Sequence, residues 1–368
     1  TGAQAAAPGV TVRNLGNPDI KWESTTQTDI GLDASLLNGK VNLTVDYYDR
    51  KTSDMLVNVP VPVSLGAPGN SIARNAGSMT NRGLEISLGY RESKRELHWS
   101  VDANFSTLNN EVTSLGGGRP IVFNLNTGSN NASTRTVEGQ PIAYFWGLQT
   151  DGIFQSESEV AASAQKGEAL PGDRRFKDLN GDGKITADDR TNLGNGLPKY
   201  LFGATLKADY KGFDFSVLLQ GQAGNKIANN TRRQLYDIRN FNGAGVQNVS
   251  RDLLGRWTGT GTSNDIPRIA YNNTPTNILF SSYYIEDGAF LRCRNVQVGY
   301  TLPSSLSQKL KANRIRVYLS AQNLFTLTRY SGFDPEIGSL GANVLTTGFE
   351  QGRYPVSKMF IGGLNLSF

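Results

Sequence analysis

Hydrophobic positions along this chain recur with a period of two. Between residues 29 and 36, Ile30, Leu32, Ala34 and Leu36 alternate with Asp29, Gly31, Asp33 and Ser35, which gives an extended strand one apolar and one polar face. A tight turn at Asn38 to Lys40 follows, and the alternation returns through Val41, Leu43, Val45 and Tyr47. The same pattern recurs at 84–90 and 97–105, at 202–210 and 213–219, at 296–300 and 315–321, and at 358–368. About nine long antiparallel strands in hairpins are therefore predicted, an all-β chain.

The connections alternate between short and long. Asn38 to Lys40, Arg91 to Glu96 and Lys211-Gly212 are tight, and Pro303 to Asn313 has room for one helical turn. Residues 57–74, 109–198, 223–285 and 330–354 are long and rich in Gly, Asn, Ser and Thr. A transmembrane barrel separates short turns from long loops in this way, whereas nothing forces the separation in a soluble sandwich. The faces agree: aromatics sit near the turns on the apolar side (Tyr47, Tyr90, Trp99, Tyr210, Phe213, Tyr300), and Asp33, Asp46, Glu85, Asp102, Lys207, Asp209 and Asp214 share the polar side. An odd extra crossing at Pro141 to Phe154 would invert every later turn, so that apolar segment is expected as extended structure inside the 109–198 loop.

With 368 residues, 41 glycines and 38% hydrophobic residues, the chain is not a disordered polymer. Its net charge of +5 is spread rather than striped, which argues against nucleic-acid binding. No apolar run reaches the roughly 20 residues of a membrane helix, but a barrel strand needs only about 9 to 11. The opening Thr1 to Pro8 carries no signal peptide and reads as the interior of a longer polypeptide.

Asp178-Leu-Asn-Gly-Asp-Gly-Lys-Ile-Thr-Ala-Asp-Asp189 has the spacing of a calcium loop: Asp178, Asn180 and Asp182 at positions 1, 3 and 5, Gly183 at 6, the Lys184 carbonyl at 7 and Asp189 at 12. The closing residue is Asp rather than Glu, one methylene shorter, as in dockerin-type loops. A structural Ca2+ is expected, against the plainer reading of a solvated Asp/Gly turn. A catalytic constellation is not expected. His98 is the only histidine and lies on the polar face of a strand, so no Ser/His/Asp or Cys/His set can be built without a second one from a partner chain. Cys293 is the only cysteine and excludes an internal disulfide.

Several stretches in order resemble SusC/RagA-type TonB-dependent transporters of Bacteroidetes: Asn17 to Glu23, Thr26 to Asp33, Val45 to Thr52, Gly172 to Gly183, Tyr210 to Asp214, Ser320 to Phe325, Phe333 to Glu336 and Tyr354-Pro355. The final Phe368, closing an alternating strand, resembles the usual end of outer-membrane barrels. The resemblance implies the C-terminal part of a plugged barrel of roughly 22 strands, with the plug domain and TonB box in a preceding part of the transporter. It implies long loops outside the cell, a periplasmic C-terminus, and a SusD-like lipoprotein lid. It also implies import of an oligosaccharide or oligopeptide. Tyr144, Trp146, Tyr236, Trp257, Tyr283 and Tyr284 are then candidates for stacking on ligand or touching the lipoprotein, with packing inside the loops as the plainer role. Two alternatives stay open: a soluble calcium-dependent carbohydrate-binding β-sandwich, and a porin or adhesin barrel without energy coupling.

Overall fold

The computed structural model describes residues 17–60, 71–94, 96–117, 120–125, 132–237, 248–269, 275–341 and 343–368. Nine strands follow one another across a single sheet: β1 (Ser24–Leu36), β2 (Val41–Pro60), β3 (Ser71–Lys94), β4 (Leu97–Thr107), β5 (Tyr200–Tyr210), β6 (Phe213–Ala223), β7 (Phe290–Thr301), β8 (Arg314–Gln322) and β9 (Met359–Ser367). Each pairs antiparallel with its sequence neighbour. All nine predicted strands are present, in the predicted order.

The register turns the alternation of single strands into two continuous faces. One row of cross-strand partners runs Leu36, Val41, Tyr90, Val101, Leu206, Val217, Val296, Ala321 and Phe360, an apolar residue from every strand. Another runs Arg91, Ser100, Lys207, Ser216, Gln297 and Ser320 across β3 to β8 on the opposite face. A one-residue slip anywhere would exchange these faces, so the pattern fixes the register. The apolar face is uncovered: Ile30 is 69% exposed, Leu319 70% and Phe360 73%. In water such a face would be covered or would aggregate; facing lipid, it needs no cover. A sandwich would require a second sheet against it, and among the described residues the remaining small sheets belong to the connections instead.

At one edge of the sheet the connections are short. Lys211 and Gly212 both have positive φ (48° and 86°), the two-residue turn that matches strand twist. The 303–313 link holds the helix Ser304–Lys309. Tyr90 with Trp99 (5.0 Å between centroids) and Phe213 with Tyr300 (4.6 Å) form aromatic pairs near this edge. On the polar face Gly299 leaves space for the Asp214–Arg316 ion pair to cross β7, since a Cβ there would lie 2.3 Å from the Asp214 carboxylate. No described helix is long and apolar enough to cross a membrane; the strands have the length for it, with 11 residues in β4, β5 and β6 and nine in β8 and β9.

Two expectations need correcting. Both described ends of the 57–74 connection are strand: β2 runs to Pro60 and β3 starts at Ser71, with Val57 paired to Arg74 and Val59 to Ile72, while 61–70 lies outside the described residues. β-branched residues continue the ladder past the bulge around Asp54, whose φ is +59°. The 109–198 connection likewise begins as a strand, Asn109–Leu115, paired with the upper part of β3. Pro141 to Phe154 contains the strands Tyr144–Leu148 and Thr150–Ile153, both outside the nine-strand wall, as expected.

In the intact protein in its membrane, Leu319→Arg on the apolar face should destabilise assembly by roughly 2–4 kcal/mol, the cost of a basic side chain at mid-bilayer. Gln297→Lys on the opposite face should be tolerated. Heat-modifiable gel mobility in membranes reports both; equal loss in the two variants would contradict the assignment of the faces.

Candidate functional site

At the other edge, the long connections pack into one layer. Phe145 from the 109–198 connection is fully buried against Phe280 from the next (6.4 Å, edge to face) and Phe349 from the last (5.3 Å), with Ala228 completing the cluster. The strand carrying Phe145 is flanked by Ala132–Thr136 and Arg190–Asn192. Three segments far apart in sequence thus share one apolar core above the wall.

Charged groups finish the job. Asp173 is fully buried and accepts hydrogen bonds from Arg268 Nε (2.8 Å), Arg268 Nη2 (3.1 Å) and Asn277 Nδ2 (2.9 Å), joining the 109–198 and 223–285 connections. Gly172 has φ +88°, and Trp257 packs where a side chain would stand, its ring 2.3 Å from an ideal Cβ. Trp257 Nε1 donates to Gln155 Oε1 at 3.1 Å. Arg174 places its guanidinium 3.4 Å from the centroid of Tyr283, and Arg232 lies 4.3 Å from the same ring and donates to its hydroxyl at 2.9 Å. These are cation–π contacts in a partly desolvated setting, where they are strongest.

The six loop aromatics therefore divide. Tyr144 and Tyr284 are buried and present no ring face to a ligand, so packing is their role; burial pushes the Tyr284 hydroxyl up to about 12, and it donates to the Asn277 carbonyl at 3.1 Å. Trp146, edge-on to Tyr144 and 4.3 Å from the Arg135 guanidinium, is half-buried, as are Tyr236, Trp257 and Tyr283.

The 178–189 loop turns through Gly181 (φ +74°) and Gly183 (φ +79°). Asp178 accepts from the N–H groups of Gly181 (2.6 Å) and Gly183 (2.8 Å), and Asp182 from that of Lys184 (2.8 Å) and from Asn180 Nδ2 (3.1 Å). Asp189 is fully buried and closes the loop by accepting from the N–H groups of Leu179 (2.8 Å) and Thr186 (2.7 Å). Burial alone would raise its pKa, but these donors outweigh it and hold the carboxyl below its ordinary value. The donor types suit a hard cation, and each carboxylate oxygen keeps a second lone pair. The carboxylates do not yet converge: among the described residues no three His, Cys, Asp or Glu groups are close enough together to hold a metal ion.

The last connection is fastened to the polar face of the wall. The β6–β7 register shifts between Leu218, opposite Asn295, and Leu219, opposite Cys293. This bulge at Arg294 puts Arg292 opposite Gln220, on the same face as Ser216 and Gln297. Arg292 is buried and donates to Asp334 (2.6 Å), Glu336 (2.9 Å) and the Thr326 hydroxyl (2.9 Å), while Arg294 donates to Glu336 (2.6 Å) and Gln220 (2.9 Å). Asp334 also accepts from the N–H groups of Glu336 and Val356. Burial would raise the Asp334 pKa, and these donors together depress it. Cys293 is buried beside this bulge, with its Sγ 3.8 Å from the Asn295 carbonyl, a packing residue.

Residues 1–324 match the family model described as TonB dependent receptor-like, beta-barrel. The chain belongs to that family. It is 32% identical over 98% of its length to TonB-dependent receptor P3 of Formosa agariphila, and 28% identical over 96% to TonB-dependent receptor SusC of Bacteroides thetaiotaomicron. It spans 36% and 32% of those proteins, about a third of their length. Its fold matches the RagAB peptide transporter with a TM-score of 0.76 at 28% identity, covering 100% of this chain and 38% of that one. The open-open state of the RagAB peptide importer gives 0.75 at 29% identity, with 98% and 36% covered. The wall is thus part of a barrel in a family of TonB-dependent outer-membrane transporters.

Two stretches that carried the family resemblance have structural work in this layer. Gly172 to Phe176 holds the Asp173 and Arg174 contacts, and Phe333 to Glu336 supplies both acids of the Arg292 latch. The arginines themselves went unnoticed in the sequence. Arg292 and Arg294 flank Cys293 in a strand whose alternation breaks there, and that break was the available signal.

The latch gives a pH expectation. Because the folded Asp334 pKa lies below its unfolded value of about 3.9, its contribution is complete above that value and fades as pH falls through the folded pKa. Limited proteolysis of 329–357 should be unchanged between pH 7 and 5. Arg292→Met, which leaves Asp334 buried without its cation, should destabilise the segment by about 3–5 kcal/mol and expose it at pH 7; a protease-resistant variant would contradict the latch.

Proposed function

We propose that this chain is the C-terminal part of the wall and mouth of a TonB-energised importer. Its cargo is a large nutrient, an oligosaccharide or oligopeptide, and it acts with a SusD-like surface lipoprotein. The observation that carries the reading is a wall with one apolar and one charged face, short turns at one edge and an interlocked loop layer at the other. In this reading the loops are extracellular, the turns and Phe368 are periplasmic, and the 109–198 connection forms much of the surface offered to the lipoprotein. β1 and β9 are unpaired sheet edges. In lipid each unsatisfied backbone group costs several kcal/mol, so further strands must come from the rest of the transporter; the plug and the TonB contact are assigned there as part of the same reading. The relatives are named as receptors and transporters, which supports a transport role over catalysis.

The test is uptake. Mass spectrometry of material carried through purification of the intact complex identifies the cargo. Its uptake by cells should then stop when TonB is deleted; continued uptake would make the barrel a passive pore.

We further propose that Asp178, Asn180, Asp182, the Lys184 carbonyl and Asp189 hold a structural Ca2+. Oxygen donors at alternate positions, two positive-φ glycines and end-to-end closure by Asp189 support this. The competing reading is a turn held by its own N–H bonds alone. Calcium should protect the 178–189 segment from protease in the intact protein, and Asp182→Ala should remove that protection while the barrel stays folded. Equal protection with and without calcium favours the metal-free turn.

A further inference from the structure

On the charged face of the wall, glycines stand directly opposite several of the larger side chains. Tyr48 on β2 pairs with Gly83 on β3, and an ideal Cβ on Gly83 would lie 2.6 Å from the Tyr48 hydroxyl oxygen, so the ring lies flat across that glycine. From there the hydroxyl donates to the Thr107 carbonyl on β4 at 3.1 Å. One side chain therefore spans three strands. Arg316 on β8 does the same in the other direction, passing over Gly299 on β7 to donate from Nε to Asp214 on β6 at 2.8 Å. In both bridges the middle strand needs a glycine, because a methyl group there would stand in the path.

Tyr318 on β8 begins a further bridge that this chain does not finish. Its direct cross-strand partners are two glycines, Gly299 on β7 and Gly363 on β9. The Arg316–Asp214 pair already fills the space over Gly299, and the Arg316 guanidinium lies 5.0 Å from the centre of the Tyr318 ring. The ring lies the other way. An ideal Cβ on Gly363 would be 2.5 Å from the Tyr318 hydroxyl oxygen, close to the placement of Tyr48 over Gly83. β9 is the edge of the sheet, and no described strand pairs with its far side. The Tyr318 hydroxyl makes no hydrogen bond to any described residue.

The same geometry is thus completed within the sheet and left open at its edge. We propose that Tyr318 clamps the seam of the closed barrel: laid over Gly363, its hydroxyl donates to an acceptor on the strand that pairs with the free edge of β9. Carbonyls within a paired strand are taken up by the ladder, so that acceptor is a polar side chain facing the interior, as Asp214 is in the Arg316 bridge. The clamp adds what alternation cannot supply. A slip of two residues keeps every side chain on its proper face, but it carries the acceptor about 7 Å along the strand, out of reach of the hydroxyl. Tyr318 therefore selects the register in which the barrel closes. The inference rests on closure of the wall by further strands of the transporter and is independent of its cargo.

The test compares the intact transporter with its Tyr318→Phe and Tyr48→Phe variants by amide hydrogen exchange. Each variant keeps a ring over its glycine and loses only the hydroxyl. Tyr318→Phe should speed exchange about fivefold in β9 and the strand beside it, the loss of one hydrogen bond, while β2 to β4 keep their rates. Tyr48→Phe should do the reverse. A high-resolution structure of the unaltered transporter should place the Tyr318 hydroxyl about 3 Å from an acceptor side chain on the closing strand, and it decides alone if Tyr318→Phe does not assemble. Unchanged exchange at the seam, an equal rise across the whole wall, or a hydroxyl bonded only to water, plug or cargo overturns the clamp and leaves closure intact. A β9 edge that stays unpaired in the intact protein overturns the closed-barrel reading instead.

Discussion

The rest of this structure depends on a constraint imposed by lipid: backbone N–H and C=O groups inside a bilayer have no water to bond, so each strand must pair along its length. Once pairing is obligatory, the period-two pattern has only one consistent register, because a slip would turn charged residues outward. The row from Leu36 to Phe360 and the opposite row from Arg91 to Ser320 are one solution seen from its two sides. Side chains on the charged face then have to lie along the wall or bond to what covers it. Arg316, which reaches Asp214 across Gly299, does the first, and Arg292, bonded to Asp334, does the second.

The loop layer obeys a different rule. Outside the bilayer, connections of this length would lose much conformational entropy on ordering, at about 1–2 kcal/mol per residue for the backbone. Three of them are ordered together here by a small aromatic core around Phe145 and by buried charge: Asp173 with Arg268, Arg292 with Asp334, and two guanidinium groups over Tyr283. Such buried pairs are weak sources of net stability, since desolvation offsets most of the attraction, but they are intolerant of the wrong partner. They specify which loop meets which, a task that apolar contact alone does poorly.

These two rules explain what could be read from the sequence. Strand order and faces were legible because alternation is repeated in every strand and each repeat constrains the next. The extension of β2 and β3 beyond the wall was missed because the Asn- and Gly-containing stretch at 71–81 resembles a loop, while its ladder depends on a partner strand rather than on local pattern. Tyr144 and Tyr284 show the same limit in the loops. An aromatic residue in a polar connection looks available, and only tertiary contact reveals that its ring is enclosed. The acids of Phe333 to Glu336 could be seen as a motif, but their purpose required the arginines that a bulge on another strand turns toward them.

That bulge is where wall and loop layer meet. Had β7 kept its alternation, Arg292 would stand on the lipid face near the loop end of its strand, where a guanidinium costs up to about 1 kcal/mol and has no carboxylate to meet. The shift at Arg294 moves it to the interior, where it finds two carboxylates from a segment some 40 residues later. One irregular position in an otherwise regular strand thereby sets where the last connection crosses the barrel mouth. In a protein whose regular parts are dictated by the membrane, such departures from the pattern are where the chain retains freedom to set how its loop layer sits on the wall.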